Sequence, residues 1–329
     1  MNSYIKNLIP KITSTKIYKN YQLLREAFLD IDKYRKYSAT ISQNKNRSMS
    51  ESELIFYYHK IEKGLSLPKT RLKFGYEAVE HLTVILENYV GKYGWEKVAI
   101  VALNTLKAYV KYNENNGVEL NHLGNRILKL ESSLRLNNMQ GGIVEIKKED
   151  IEKNRIDFKS FAYSRYSIRN FADQEVDLSI IEEAVLIAQK SPSVCNRQSS
   201  RVYVYSDKEI QNEILKHQNG NRGFGHLADK IIIVTSKLDH FIGHGERNQS
   251  YIDGGMYSMS LIYALHSLGI GTCPLNLALT NNAEKKLKEV ARIDNSEVLM
   301  MMIAVGHLPT NLNVAASIRR EVSEVLKII

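Results

Sequence analysis

SRYSIRNF, Ser164 to Phe171, sets two arginines four residues apart around a serine, with an aromatic residue close behind. A helix follows it: Asp177 is a suitable N-cap, and Leu178, Ile181, Val185 and Ala188 recur on one face before SPSVCNRQ ends the pattern. SRYSIRNF itself lacks helical periodicity. It reads as a strand-like turn from which Arg165, Ser167 and Arg169 extend in one direction. Two guanidiniums and a hydroxyl suit a phosphate, because arginine offers several fixed donors and keeps its charge. Taken alone, such a stretch is more often a solvated basic turn, so its neighbours decide.

The chain around it has 329 residues, 43% of them apolar and only 5 of them proline, which describes folded rather than disordered protein with room for two domains. Its two cysteines, Cys195 and Cys273, cannot build a disulfide framework, and the first twenty residues lack the apolar run of a signal peptide. A reducing, cytoplasmic location is expected. No apolar run reaches the roughly 18 residues that a transmembrane helix needs. Of the net charge of +9, most lies before residue 151, where 24 Lys and Arg face 16 Asp and Glu. A basic face can serve nucleic acid, an anionic membrane or solubility alone. Without zinc-finger spacing or an RNA-binding aromatic motif, nucleic acid is set aside, while peripheral membrane contact of the basic N-terminal region stays open.

The pattern changes partway along. From about Tyr18 to Leu136 it is helical, with Val79, Leu82, Leu86 and Tyr89 at helix spacing, then Ile100, Leu103, Leu106 and Val110, and with Gly91 and Gly94 between the two. After NNMQGGIVEIKKED, short β-branched runs such as RVYVY and KIIIVTS alternate with amphipathic segments. An all-helical region over 1–152 and an α+β domain over 153–329 are expected.

Three further stretches follow SRYSIRNF. SPSVCNRQSS crowds Ser191, Ser193, Asn196 and Gln198 onto a polar loop. YIDGGMYSMSLIYALHSLGIGTCPLN reads as a glycine-started apolar helix from Gly254 to Leu268, ending at Gly269 and Gly271 before Cys273 and Pro274. EVLMMMIAVGHLP reads as a buried strand that breaks at Gly306, with Arg319 and Arg320 beyond it. In this order and spacing the four stretches resemble the nitroreductase family of flavin-dependent oxidoreductases, over roughly Phe158 to Arg320.

The resemblance implies an α+β fold around a mixed, mainly antiparallel sheet. It also implies a homodimer holding one FMN in each of two clefts at its interface. NADH or NADPH would be the electron donor and a nitro compound or quinone a typical small-molecule acceptor. By position, Arg165 and Ser167 match the grip on the FMN phosphate, and Arg169 a basic residue near the ribityl chain and the N1 and O2 edge. Ser193 and Asn196 fall in the loop along the flavin, and Asn221 in NGNRGFG matches a ring-edge contact. Pro274, Leu275 and Asn276 match the segment approaching flavin N5, and Arg319 or Arg320 would complete the phosphate site. Ser199 and Ser200 replace a common Pro-Trp pair, and Asn276 and Leu277 stand where many members have an acidic residue and glycine.

Other features have ordinary readings. Cys195 and Cys273 lack an evident activating base and read as buried, inert thiols. Asp239, His240, His244 and Glu246 in DHFIGHGERN lack the alignment of a metal site. In YYHKIEKGLSLPKTRLKFG, Tyr57 to Gly75, a helix is expected to end at Gly64, with His59 and Glu62 sharing a face. That stretch also resembles the leading region of some bacterial nitroreductase-like proteins, several associated with surface-polysaccharide loci. It would serve as a cap over the flavin cleft or as a partner-docking module. Three function classes follow. The first is an FMN oxidoreductase using NAD(P)H. The second is a flavin dehydrogenase of a glycan or peptide intermediate, and the third a non-enzymatic binding module retaining the fold.

Overall fold

A computed structural model describes residues 15–39, 45–67, 70–134, 139, 141–144, 157–311, 313–315 and 319–329. Five helices come first: α1 (Lys16–Tyr37), α2 (Arg47–Leu65), α3 (Tyr76–Tyr93), α4 (Lys97–Asn115) and α5 (Asn121–Glu131). The periodic residues Val79, Leu82, Leu86 and Tyr89 are all buried, and they meet Leu103, Leu106 and Tyr109 of α4 and Leu54 and Ile61 of α2 in one core. Ile100 is only half-buried, whereas Ala99 and Ala102 are fully buried in that core.

Gly64 is the penultimate residue of α2, one residue from the end at Leu65, and a Cβ there would come within 1.9 Å of the Phe74 ring, so its bare Cα also permits close packing. Gly91 likewise lies within α3, and only Gly94, at φ 80°, caps it.

The second half begins with α6 (Phe158–Ser164) and α7 (Leu178–Ala188), where the Asp177 side chain accepts from the Ser179 N–H at 2.8 Å. Then come β1 (Ser200–Tyr205), α8 (Lys208–Leu215), β2 (Lys230–Lys237), α9 (Gln249–Ser267), β3 (Ile270–Leu275), α10 (Asn281–Ala291), β4 (Glu297–His307) and α11 (Val322–Val325). The strands form an antiparallel sheet in the order β1-β2-β4-β3, and one parallel bridge joins Ser167 to Thr272.

Strand alternation divides the core. Ile231, Ile233, Met302 and Ala304 face one side with α8 and α10, while Ile232, Val234, Ile303 and Val305 face the other with α7 and α9. The N-terminal core shares no buried residue with either layer among the described residues. The expected boundary at 152/153 lies outside the described residues.

Two further expectations change. The apolar helix α9 begins at Gln249 and carries Gly254 inside it, where a Cβ would sit 2.5 Å from Met300, so the glycine lets the helix press onto the sheet. Strand β4 does not break at Gly306 but runs to His307. A Cβ at Gly306 would meet Phe171 at 2.8 Å, so this glycine makes room for the aromatic of SRYSIRNF.

The two halves touch through α1 and α2. Tyr34 and Tyr37 pack against Leu238, Phe241 and Val298, and the Ala39 N–H donates to the Phe241 carbonyl at 3.0 Å. No helix among the described residues is long and apolar enough to cross a membrane.

Candidate functional site

SRYSIRNF leaves α6 as extended chain and lies along the edge of β3. The Ile168 N–H donates to the Thr272 carbonyl at 2.8 Å, and Ile168 and Phe171 are buried. That anchoring leaves Arg165, Ser167 and Arg169 on one side. These three line a cleft of about 500 Å³ with Tyr263 and Arg319. No carboxylate lines it among the described residues, so its charged lining groups, as far as they are described, are all guanidiniums.

One support for this cleft was not singled out by sequence. Ser164 Oγ donates to the Phe161 carbonyl at 2.8 Å, so the 2.8 Å contact with His266 Nε2 places the imidazole proton on that nitrogen. His266 thus pins the residue preceding Arg165. Burial holds its pKa below the usual histidine value.

Two residues beyond Thr272 in β3 come Pro274, Leu275 and Asn276, so the bridge brings this segment beside SRYSIRNF. The loop carrying Asn221 also reaches it. Gln218 Nε2 donates to the Asn276 carbonyl at 3.1 Å, and Arg169 lies 5.8 Å over the Phe224 ring. Asn221 itself turns inward: its amide donates to the carbonyls of Leu215, at 2.8 Å, and Gln218, so it shapes its own loop. Cys273 is buried, and desolvation pushes its thiol up while Arg169 and Arg165 oppose that shift.

Ser193 and Asn196 lie elsewhere. Ser193 lines a second cleft, of about 1070 Å³, which shares no lining residue with the first. The loop is held in an unusual conformation: Cys195, Asn196 and Gln198 have φ of 49°, 54° and 52°. Such backbone persists only where surroundings enforce it. Here Asp253 Oδ2 accepts from the Val194 N–H at 3.0 Å, and Ser193 Oγ accepts from the Gln198 N–H at 3.0 Å. Asp253 was not singled out from the sequence; its signal was a lone acid among apolar residues beside two glycines. Cys195, expected to be buried, is half-exposed in this loop.

Arg197 is the other residue that sequence reading missed. Its side chain is almost wholly buried, with Nη2 donating to Glu246 at 2.5 Å and Nε to the Val194 carbonyl at 3.2 Å. Phe56 of α2 and Phe241 flank its guanidinium at 5.8 and 5.6 Å, and Nη1 has no hydrogen-bond partner among the described residues.

The DHFIGHGERN residues separate. His240 Nδ1 donates to Asp239 at 2.7 Å while its Nε2 accepts from Arg201 at 3.4 Å, and Glu246 is engaged by Arg197. No group of three candidate ligands gathers among the described residues. In α2, His59 and Glu62 do share a face, at 3.3 Å, and line neither cleft. Of the two C-terminal candidates, Arg319 lines the arginine cleft, whereas Arg320 pairs outward with Glu324 at 3.1 Å.

The sequence profile of the nitroreductase family matches residues 162–221 and 213–307, a span holding the two clefts' loops and the whole sheet. Residues 162–307 form a nitroreductase-family domain. No curated protein matches the chain. Among solved structures, a nitroreductase family protein from Streptococcus pneumoniae is 20% identical, covering 53% of this chain and 100% of its own, with a TM-score of 0.45. An FMN-dependent nitroreductase from Clostridium difficile is 19% identical over 48% of this chain and 91% of its own, with a TM-score of 0.41. The nitroreductase domain accounts for the sheet and its flanking helices; α1 to α5 lie outside the matched span.

Proposed function

We propose that the protein is an FMN-dependent oxidoreductase that takes electrons from NADH or NADPH and delivers them to a small-molecule acceptor. The observation that carries this reading is the cleft lined by Arg165, Ser167, Arg169 and Arg319 and, among the described residues, by no carboxylate. A cleft whose described charged groups are guanidiniums fits a phosphate monoester, which carries about two negative charges and three acceptor oxygens. FMN, when bound, supplies two-electron chemistry between nicotinamide and acceptor. Arg165, Ser167 and Arg319 would hold its phosphate. Arg169, braced on Phe224, would set positive charge beside the ring edge that gains electron density, which favours reduction. Backbone donors of the Pro274–Asn276 segment would face the reacting ring.

The second part of the reading is a homodimer, with residues 1–152 as a helical unit attached to a flavin domain over 153–329. Within one chain Ser193 and Asn196 do not line the arginine cleft, and both could contribute to a flavin if a second copy brings its loop there. Unburied apolar groups on α9, such as Ile252 and Met256, and on the tail beyond Pro309 support such an interface. A cytoplasmic enzyme linked to polysaccharide biosynthesis would fit the leading-region resemblance.

The test is the absorption spectrum of purified full-length protein before and after anaerobic NADH or NADPH, with the released chromophore identified. Bleaching of a bound FMN spectrum is expected. Protein purified and reconstituted with FMN that holds none refutes the reading, and bound FMN that neither nucleotide reduces points to a substrate-driven flavin dehydrogenase. Sedimentation at equilibrium checks the dimer.

A further inference from the structure

Helix α1 has two unlike faces. One is docked on the chain: Glu26 accepts from the Asn281 N–H at 2.8 Å, Lys33 pairs with Glu284 at 2.9 Å, and Tyr34 Oη donates to the Gly243 carbonyl at 2.7 Å. The other points away from the chain and is apolar. Ile17, Tyr21, Leu23, Leu24, Phe28 and Ile31 are between 59% and 83% exposed, and none of α1 is buried. At 100° per residue Ile17, Tyr21, Leu24, Phe28 and Ile31 fall within a stripe of about 80°, while Leu23 lies to one side, near the azimuth of the docked Tyr34.

Ile17, Tyr21, Leu24, Phe28 and Ile31 alone follow the alternating four-and-three spacing of a coiled-coil seam. Leu23 lies about 120° from the centre of that stripe and is not part of it. The charge beside the stripe bears on what covers it. The first 25 residues contain four lysines and Arg25 and no aspartate or glutamate, the first carboxylate being Glu26. On the helix, Lys16, Lys19 and Lys36 are exposed, as are Arg25 and Arg35, which pair with Glu26 at 2.9 Å and Asp32 at 2.6 Å. Apolar residues bordered by Lys and Arg are what a helix lying in a lipid interface presents.

We propose that α1 lays its outward face on an anionic lipid surface, so that the protein is a peripheral membrane protein bound through its N-terminal helix. The proposal is independent of the flavin chemistry, because the arginine cleft is built entirely from residues beyond 161.

The test is co-sedimentation of the full-length protein with phosphatidylcholine vesicles and with vesicles in which part of that lipid is phosphatidylglycerol. Binding to the anionic vesicles is expected to exceed binding to the neutral ones and to weaken at high salt. In the Leu24→Asp/Phe28→Asp variant, binding should fall by roughly tenfold or more. Both side chains are exposed, so the variant should keep the wild-type circular dichroism and melting temperature. Wild-type protein that stays in the supernatant at low salt overturns the proposal, as does a folded variant that binds as well as wild type. If the variant instead lowers the oligomeric state in the absence of lipid, a second copy covers this face and the lipid assignment fails.

Discussion

Adjacent arginines offer a sharp test of the proposed phosphate site, because Arg319 lines the cleft and Arg320 does not. Replacing a cationic donor to a phosphate removes a charge-assisted hydrogen bond, a loss of about 1.5 to 3 kcal/mol when the pair is shielded from water. Each 1.4 kcal/mol is about a decade in Kd. Arg165 is half-buried between α6 and β3, so Arg165→Ala should take the upper part of that range, weakening FMN by roughly a hundredfold. Arg319 is exposed, and solvent screening reduces its contribution, so Arg319→Ala should weaken FMN by about tenfold. Arg320 already pairs with Glu324 away from the cleft, and Arg320→Ala should leave the affinity unchanged. Quenching of FMN fluorescence on titration with apoprotein measures all three. An Arg320→Ala defect as large as that of Arg165→Ala, or wild-type affinity for Arg165→Ala, would refute the assignment of the cleft.

Other expectations concern stability and the loop. Gly64→Ala forces a methyl group into the Phe74 ring and should destabilise the N-terminal core by about 1 to 3 kcal/mol, read as a lower midpoint in urea. Asp253→Ala strips the acceptor from the Val194 N–H and should relax the strained loop, costing about 1 to 3 kcal/mol and slowing turnover if that loop meets the flavin. Burial is the largest influence on His240 and lowers its pKa from 6.5, against the pull of Asp239. The folded protein therefore binds that proton less readily than the unfolded chain. Its contribution to stability is whole above pH 6.5 and is lost as the pH falls through the lower folded value, so His240→Gln should flatten the acid limb of a stability profile. A chain starting near Lys153 would uncover Phe241 and Arg197, and should melt at a lower temperature than the full-length protein.

What could be read from sequence was whatever local periodicity controls. The β-branched run in KIIIVTS marks a strand, and the spacing of Val79, Leu82, Leu86 and Tyr89 marks a buried helix face without reference to anything distant. Glycines were read incompletely where their role is tertiary. Gly64, Gly254 and Gly306 look like punctuation, yet each makes way for a side chain remote in sequence, Phe74, Met300 or Phe171. The convergence of Arg165, Ser167, Arg169 and Arg319 was legible only through family resemblance, since the residues that separate them form the entire sheet. Asp253 and Arg197 escaped notice because their partners, Val194, Glu246 and Phe56, lie tens of residues away or more.

The surroundings of Arg197 constrain how this protein can diverge. Its carboxylate comes from Glu246, one aromatic wall from α2 and the other from Phe241, so three separate parts of the chain share one desolvated cation. Losing Glu246 alone would strand that charge in an apolar setting, and losing Arg197 alone would leave an unmatched carboxylate beside a void. Substitution at any one of these sites is therefore harmful until the others follow. Descendants of this sequence should either keep Arg197, Glu246 and Phe56 as a set or exchange them together for a neutral, volume-matched trio, and that covariation ties the history of the helical region to that of the span matching the nitroreductase family.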